Sequence, residues 1–309
     1  MKKFLSMLIA IITVFMPPAA LAETIDFSVY SLEELLQLQT ALEQAITDKM
    51  RETVATPVTD FIWADNGVEV MLRSYIGTAE EVVIPAEVNG LPVTQIGDSA
   101  FRENKTIRSI VIPDGVTTIG KEAFYKCYAL ESVVLPTSVH TIQDSAFRYC
   151  SSLAQINLEY VANLNYFCFN GCSSLTGVLR FYAPKLSMTG TFYDCRGISG
   201  IEIHSEQVAL GARALNDMDS LTYIYVNGDA VLQIKDYGGT FDDNPNLTTV
   251  VLPFNTTRVN DVALFVNSPK MVLYAPAGSW LESYARENFI PCNTTDYEAM
   301  NALYALHAE

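Results

Sequence analysis

The feature that most constrains this chain is a repeat with a period of about 23 residues. Set on Cys127, the equivalent positions are Asn104, Cys127, Cys150, Cys172, Cys195, Met218, Asn244 and Asn267, spaced 23, 23, 22, 23, 23, 26 and 23 residues apart. Three residues before them stand Phe101, Phe124, Phe147, Phe169, Phe192, Leu215, Phe241 and Leu264. Three residues after come Ile107, Leu130, Leu153, Leu175, Ile198, Leu221 and Leu247, and six after come Ile110, Val133, Ile156, Val178, Ile201, Ile224, Val250 and Leu273. A fixed period of 20 to 50 residues marks a solenoid or array, in which one unit cannot close its own core and burial between stacked neighbours supplies the stability.

Each unit carries L-x-x-I-x-L-P, as in Leu130 to Pro136. Its alternation of apolar residues is the period of a strand with one buried face. Proline, which cannot donate to a ladder, then ends the strand at Pro113, Pro136, Pro253 and Pro276. The rest of the unit, such as Val139 to Phe147, has apolar residues without a long helical pattern. It reads as turns or short 3-10 pieces on the outer side. A unit this short cannot make a four-stranded propeller blade.

The combined pattern L-x-x-I-x-L-P…V-x-x-I-G-x-x-A-F-x-x-C, clearest in Ile107–Phe124 and Leu130–Phe147, resembles the BspA-like, or treponemal-type, leucine-rich repeats over about residues 60–292. That resemblance implies an α/β leucine-rich-repeat solenoid whose strands line a concave parallel sheet. It also implies a bacterial surface or secreted protein, of the kind that contacts host or microbial surface proteins or glycans.

The two ends read differently from the repeats. Met1-Lys2-Lys3, an apolar run over Phe4–Met16 and Ala20-Leu21-Ala22 form the three parts of a secretory signal, with cleavage expected after Ala22. The following Glu23 is not the cysteine of a lipoprotein. Residues 23–56 read as an amphipathic helix over about 31–51, opened by the capping box Ser31-Leu32-Glu33-Glu34, and a linker. Residues 57–99 read as an atypical capping repeat with a hairpin at Asn66-Gly67, residues 100–269 as the repeats, and residues 270–309 as a C-terminal cap and tail. Short helices are expected over Gly278–Asn288 and within Asp296–Glu309, and no sorting motif or apolar tail is apparent there. The chain is therefore expected to be secreted or held non-covalently at the cell surface.

The formal charge is −16 at pH 7, and −18 without residues 1–22, which carry two lysines and no acid. Such a surface disfavours nucleic acid and anionic membranes. No membrane insertion is expected once the signal is removed.

No catalytic constellation emerges. His140, His204 and His307 have no nucleophile motif beside them, and no phosphate-binding glycine loop is present. Cys168-x-x-x-Cys172 lacks the histidine pair of a zinc site. Asp242 to Asn246 lacks the spacing and terminal glutamate of a calcium loop. We therefore expect no enzyme activity, cofactor or metal. An even cysteine count in an exported chain suggests disulfides. However, four of the six share a position with Asn and Met, which suits buried free thiols under a turn.

A partner would meet the outward strand residues. One column reads Val111, Val134, Asn157, Leu179, Glu202, Tyr225, Val251, Tyr274, and the next Ser109, Ser132, Gln155, Gly177, Gly200, Tyr223, Thr249, Val272. Both are nearly uncharged. The candidate ligand-binding patch is Tyr223, Tyr225, Val251 and Tyr274, because tyrosine combines contact area with a polar tip. The alternative is a structural envelope protein without a dedicated ligand. One unit breaks the pattern: Arg180 falls on an inward position of Leu175–Phe181. A buried unpaired arginine is costly, so a bulge or register shift is expected there.

Overall fold

The structure is a computed structural model. It describes residues 55–235, 239–258 and 264–307. The expected signal and the helix over 31–51 lie outside the described residues.

The described residues between Thr56 and His307 form a solenoid with two ladders of mostly parallel strands. The first sheet is built from the L-x-x-I-x-L segments. It has a four-stranded part, Glu81–Val83, Ser109–Val111, Ser132–Val134 and Gln155–Ile156. A six-stranded part follows, with Gly177–Phe181, Ile198–Ile203, Tyr223–Val226, Thr249–Val251, Val272–Tyr274 and Cys292–Asn293. Where proline ends a strand, it stands two residues beyond the last paired residue, as Pro113 follows Val111 and Pro136 follows Val134.

The outer side holds more order than turns alone. Short strands such as Thr118–Ile119, Thr141–Ile142 and Asn163–Leu164 pair in parallel and widen to Lys185–Met188, Gln207–Gly211 and Val231–Lys235. They form a second sheet of 11 strands. The connecting segments are turns, and the one 3-10 piece among the described residues is Val58–Asp60. Stacking in register brings the backbone of each outer segment next to its neighbour's, so even two residues per rung close a ladder.

Between the sheets runs a column of aromatic rings. Phe101, Phe124, Phe147, Phe169 and Phe192 stack with centroids 4.8, 4.8, 5.2 and 5.6 Å apart. Tyr75 continues the column over the first ring at 5.4 Å. At the far end the column is Phe241 and Phe265, 5.0 Å apart, and not Leu264 as the spacing suggests. Leu264 is buried beside it. Either neighbour is apolar enough for the position, and the larger ring takes it because it can stack.

All six cysteines are free. Cys127, Cys150, Cys172 and Cys195 each donate from Sγ to the carbonyl of the phenylalanine one rung earlier, Phe101, Phe124, Phe147 and Phe169, at 3.0–3.1 Å. Asn244 does the same with Nδ2, bonding Leu215 O at 2.9 Å, and Ser268 replaces Asn267 in the column by donating to Phe241 O at 3.4 Å. Where Cys, Asn244 or Ser268 stands in the column it donates to the rung before, whereas Met218 fills the same buried position without donating. Burial raises the Cys127 thiol to about 12 and lifts the other three as well.

The ends are closed by distinct elements. Phe61–Asp65 and Val70–Tyr75 form the expected antiparallel hairpin. Asn66 Oδ1 accepts from the backbone N–H groups of Val68 and Glu69, and Gly67 takes the left-handed conformation. At the other end helix α1, Trp280–Glu287, starts on Ser279, whose hydroxyl accepts from Glu282 N. Helix α2 is Tyr297–Ala305. No helix among the described residues is long and apolar enough to cross a membrane.

Candidate functional site

The expected irregularity at Arg180 exists and organises the site. The ladder shifts register between Gly177 and Val178, so Leu179 pairs with Ile201 and Arg180 with Glu202. Leu179 and Phe181 thereby face the core, and Arg180 turns outward. No strand pairing joins Gln155–Ile156 to Gly177–Phe181, and the two parts of the first sheet end there. A backbone bond, Tyr182 N to Glu159 O at 2.7 Å, crosses the gap. Beside it Asn157 uses its amide to bond both N and O of Leu135.

The shift puts Arg180, Glu202, Tyr225, Val251 and Tyr274 in one outward register column. Glu202 is fully buried although it points away from the core. Its carboxylate accepts from Arg180 Nε at 2.8 Å and Nη2 at 3.2 Å, and from the Tyr223 hydroxyl at 2.6 Å. His307 Nδ1 lies 3.0 Å from Oε1 and His204 Nε2 lies 3.6 Å from Oε2. Burial alone would raise the carboxyl. The His204 imidazole, the Tyr223 hydroxyl and the Arg180 guanidinium outweigh it and hold the group down at about 2. Burial together with the bond to Glu202 pushes the Tyr223 hydroxyl up, and burial raises Tyr225 to about 12. Gly200 makes this geometry possible, since a Cβ there would stand 2.5 Å from the Tyr223 ring.

The four residues singled out in the sequence are brought together, but two of them are not open. Tyr225 and Val251 are both 0 % exposed, while Tyr223 and Tyr274 are half-buried. Helix α2 covers them. Tyr297 is buried against Tyr225 and Val251, with Met300, Tyr304 and Tyr274 packed around. The Tyr304 ring stacks on Tyr223 at 5.1 Å and on Tyr225 at 5.2 Å. Asn301 Oδ1 accepts from the Tyr225 hydroxyl and from Gly228 N, both at 3.1 Å. A side chain at Gly228 would collide with that amide. Beyond the helix, the His307 carbonyl accepts from the Tyr182 hydroxyl at 3.2 Å. Tyr182 in turn stacks on His204 at 5.0 Å.

Sequence reasoning placed Glu202 in the right column but missed its role, because its partner Arg180 enters the column only through the bulge. Asn301, Tyr304 and His307 were missed as well. Their spacing of three residues, in a tail with few charges, was the available signal.

The arrangement can grip a helix by ring stacking, an amide clamp and a buried carboxylate. It does not assemble a nucleophile with a base. Among the described residues no group of three or more His, Cys, Asp or Glu side chains is placed to hold a metal.

The model of the BspA-type leucine-rich repeat region matches residues 78–181 and 188–277 in six copies. The chain therefore belongs to the BspA-type leucine-rich repeat family. A leucine-rich repeat protein of T. pallidum shares this fold at 22 % identity and a TM-score of 0.53, over 78 % of this chain and 98 % of that one. A leucine-rich cell surface protein from Faecalibacterium prausnitzii matches at 17 % identity and a TM-score of 0.39, over 73 % and 89 %. No curated protein matches the chain.

Proposed function

We propose that this protein is an exported, non-catalytic binding or adhesion module that recognises a host or microbial surface protein or glycan through its first sheet. The proposed contact patch is Tyr223, Tyr225, Val251 and Tyr274, with Tyr223 and Tyr274 at its accessible edge and Tyr225 and Val251 under α2. The observation that carries this reading is the buried Glu202 network on the outward side of the sheet. A solenoid core needs apolar inward residues and no charge above them, yet here an Arg–Glu pair, two tyrosines and two histidines converge over the outer face. Aromatic and arginine side chains around a desolvated centre are the composition of a binding hot spot. Export rests on the Met1–Ala22 pattern.

The test is an array of matrix proteins, mucins and microbial glycans, probed with the chain from Glu23 onward and with its Tyr223→Ala, Tyr274→Ala double variant. A saturable hit on the native chain, weakened at least tenfold in the variant while the variant still melts cooperatively, supports the patch. A hit that the variant retains removes it. The seating of α2 on the patch favours a second reading, a structural envelope protein without a ligand. Silence of every array position would select that one.

A further inference from the structure

We infer that the cradle over Tyr223, Tyr225 and Glu202 is a seat for a helix, that its external partner is a short tyrosine-bearing helical peptide, and that α2 is the resident occupant such a partner displaces. This rests on the binding reading above and names its ligand class.

The seat reads two positions of a helix and one residue just past its end. Asn301 occupies the clamp formed by the Tyr225 hydroxyl and Gly228 N. Three residues on, Tyr304 fills the space over Tyr223 and Tyr225. Three further, His307 meets the buried carboxylate of Glu202. Asn301 and Tyr304, at i and i+3, are neighbours on one face of the helix, and His307 reaches Glu202 from the turn that follows it, so the cradle matches a short helix and its exit turn. Two glycines, Gly200 and Gly228, are spent on the fit.

The occupant is built to leave. It is 9 residues long, and its N-cap Asp296 makes no side-chain cap bond. Isolated helices of that length are marginal in water, so its order depends on the seat. Its outer side is also largely apolar, with Ala299, Ala302 and Leu303 exposed beside Glu298. A helix apolar on both sides is not completed by the contacts it has here. A partner helix with the same three contacts and a polar outer side would exchange for α2 without disturbing the solenoid core. It would also give the Tyr225 and Val251 side chains a contact that their burial under α2 now denies to a ligand.

The test uses the full chain and a fluorescein-labelled synthetic peptide of residues 294–309. An Asn301→Ala, Tyr304→Ala variant weakens α2 and leaves Tyr223, Tyr225, Gly228 and Glu202 untouched. The peptide should bind this variant at least tenfold more tightly than the native chain. A peptide carrying the same two substitutions should lose at least tenfold. A His307→Ala chain, which alters one contact, serves if the double variant does not fold, and should bind the peptide more tightly than the native chain. Absence of saturable binding to either variant overturns the inference, as does equal binding of the two peptides. A dimer that grows with concentration in light scattering overturns the assignment to a foreign helix in favour of exchange between copies. Failure of the peptide alongside a Tyr223-dependent array hit would remove this inference and leave the binding reading standing.

Discussion

Replacing Glu202 by glutamine isolates the charge at the centre of the cradle and keeps its shape. The carboxyl is held at about 2, against an ordinary value of 4.5. A carboxylate depressed in the folded state adds stability that is present above its unfolded-state pKa and is lost as pH falls toward the folded one. Here that displacement is worth about 3 kcal/mol at pH 7. Glutamine keeps one acceptor for Tyr223 or Arg180 but carries no charge to set against the guanidinium, and it leaves the partly buried Arg180 with only the Coulombic attraction of Glu159. For a domain of this size the change corresponds to a melting point lower by about 5–10 °C at pH 7. Thermal melts followed by circular dichroism from pH 7 to pH 2.5 test it. The native chain should lose stability as pH falls from about 4.5 toward about 2, and the gap to Glu202→Gln should narrow to a small remainder by about pH 2.5. Parallel curves through that window, or a shift below about 1 °C at pH 7, would refute the reasoning. Native hydrogen exchange adds a local readout, since residues 297–305 should lose protection before the Phe101–Phe192 column does.

Two further outcomes follow from the packing. In the native protein only Cys292, the half-buried thiol, should react quickly with a thiol reagent, and all six should titrate after denaturation without reductant. Four or fewer free groups would mean that disulfides had formed. Asp217, left-handed in φ, has its carboxyl raised by burial and by the charges of Asp194, Asp219 and Asp243. A carboxyl raised in the folded state costs stability above its pKa, and the cost disappears as pH falls. Asp217→Asn, which tolerates the same φ, should therefore raise the melting point slightly at pH 7 and leave it unchanged at pH 3.

The solenoid was legible because its determinants are local and repeated. Each rung states its own apolar positions, and Phe124, Leu130, Val133 and Pro136 say the same thing as their counterparts 23 residues away. The reading failed where a choice depended on contacts between rungs. Leu264 and Phe265 are both apolar, and only the ring of Phe241 above them decides which one stacks. The second sheet was hidden because Thr118–Ile119 is too short to show a period, and is a strand only through its neighbours. Arg180 signalled a fault in the register but not its consequence, which is that the fault supplies Glu202 with a partner. The cover over Tyr225 was least legible. It joins residues 76 positions apart, and nothing in the tyrosine-bearing strands records what will lie on them.

The interruption in the first sheet gives the molecule unequal mechanics on its two sides. Between Gln155–Ile156 and Gly177–Phe181 the strand ladder stops, while the second sheet runs on unbroken through Asn163–Leu164 to Lys185–Met188. A load that bends the solenoid away from the first sheet meets continuous hydrogen bonds along one edge and a gap along the other. Strain then concentrates at a single rung instead of spreading evenly over all of them. That rung carries Arg180 on its far side, still paired to Glu202 through the unbroken ladder of Gly177–Phe181 and Ile198–Ile203, so the cradle keeps its own strand bonds when the interruption flexes.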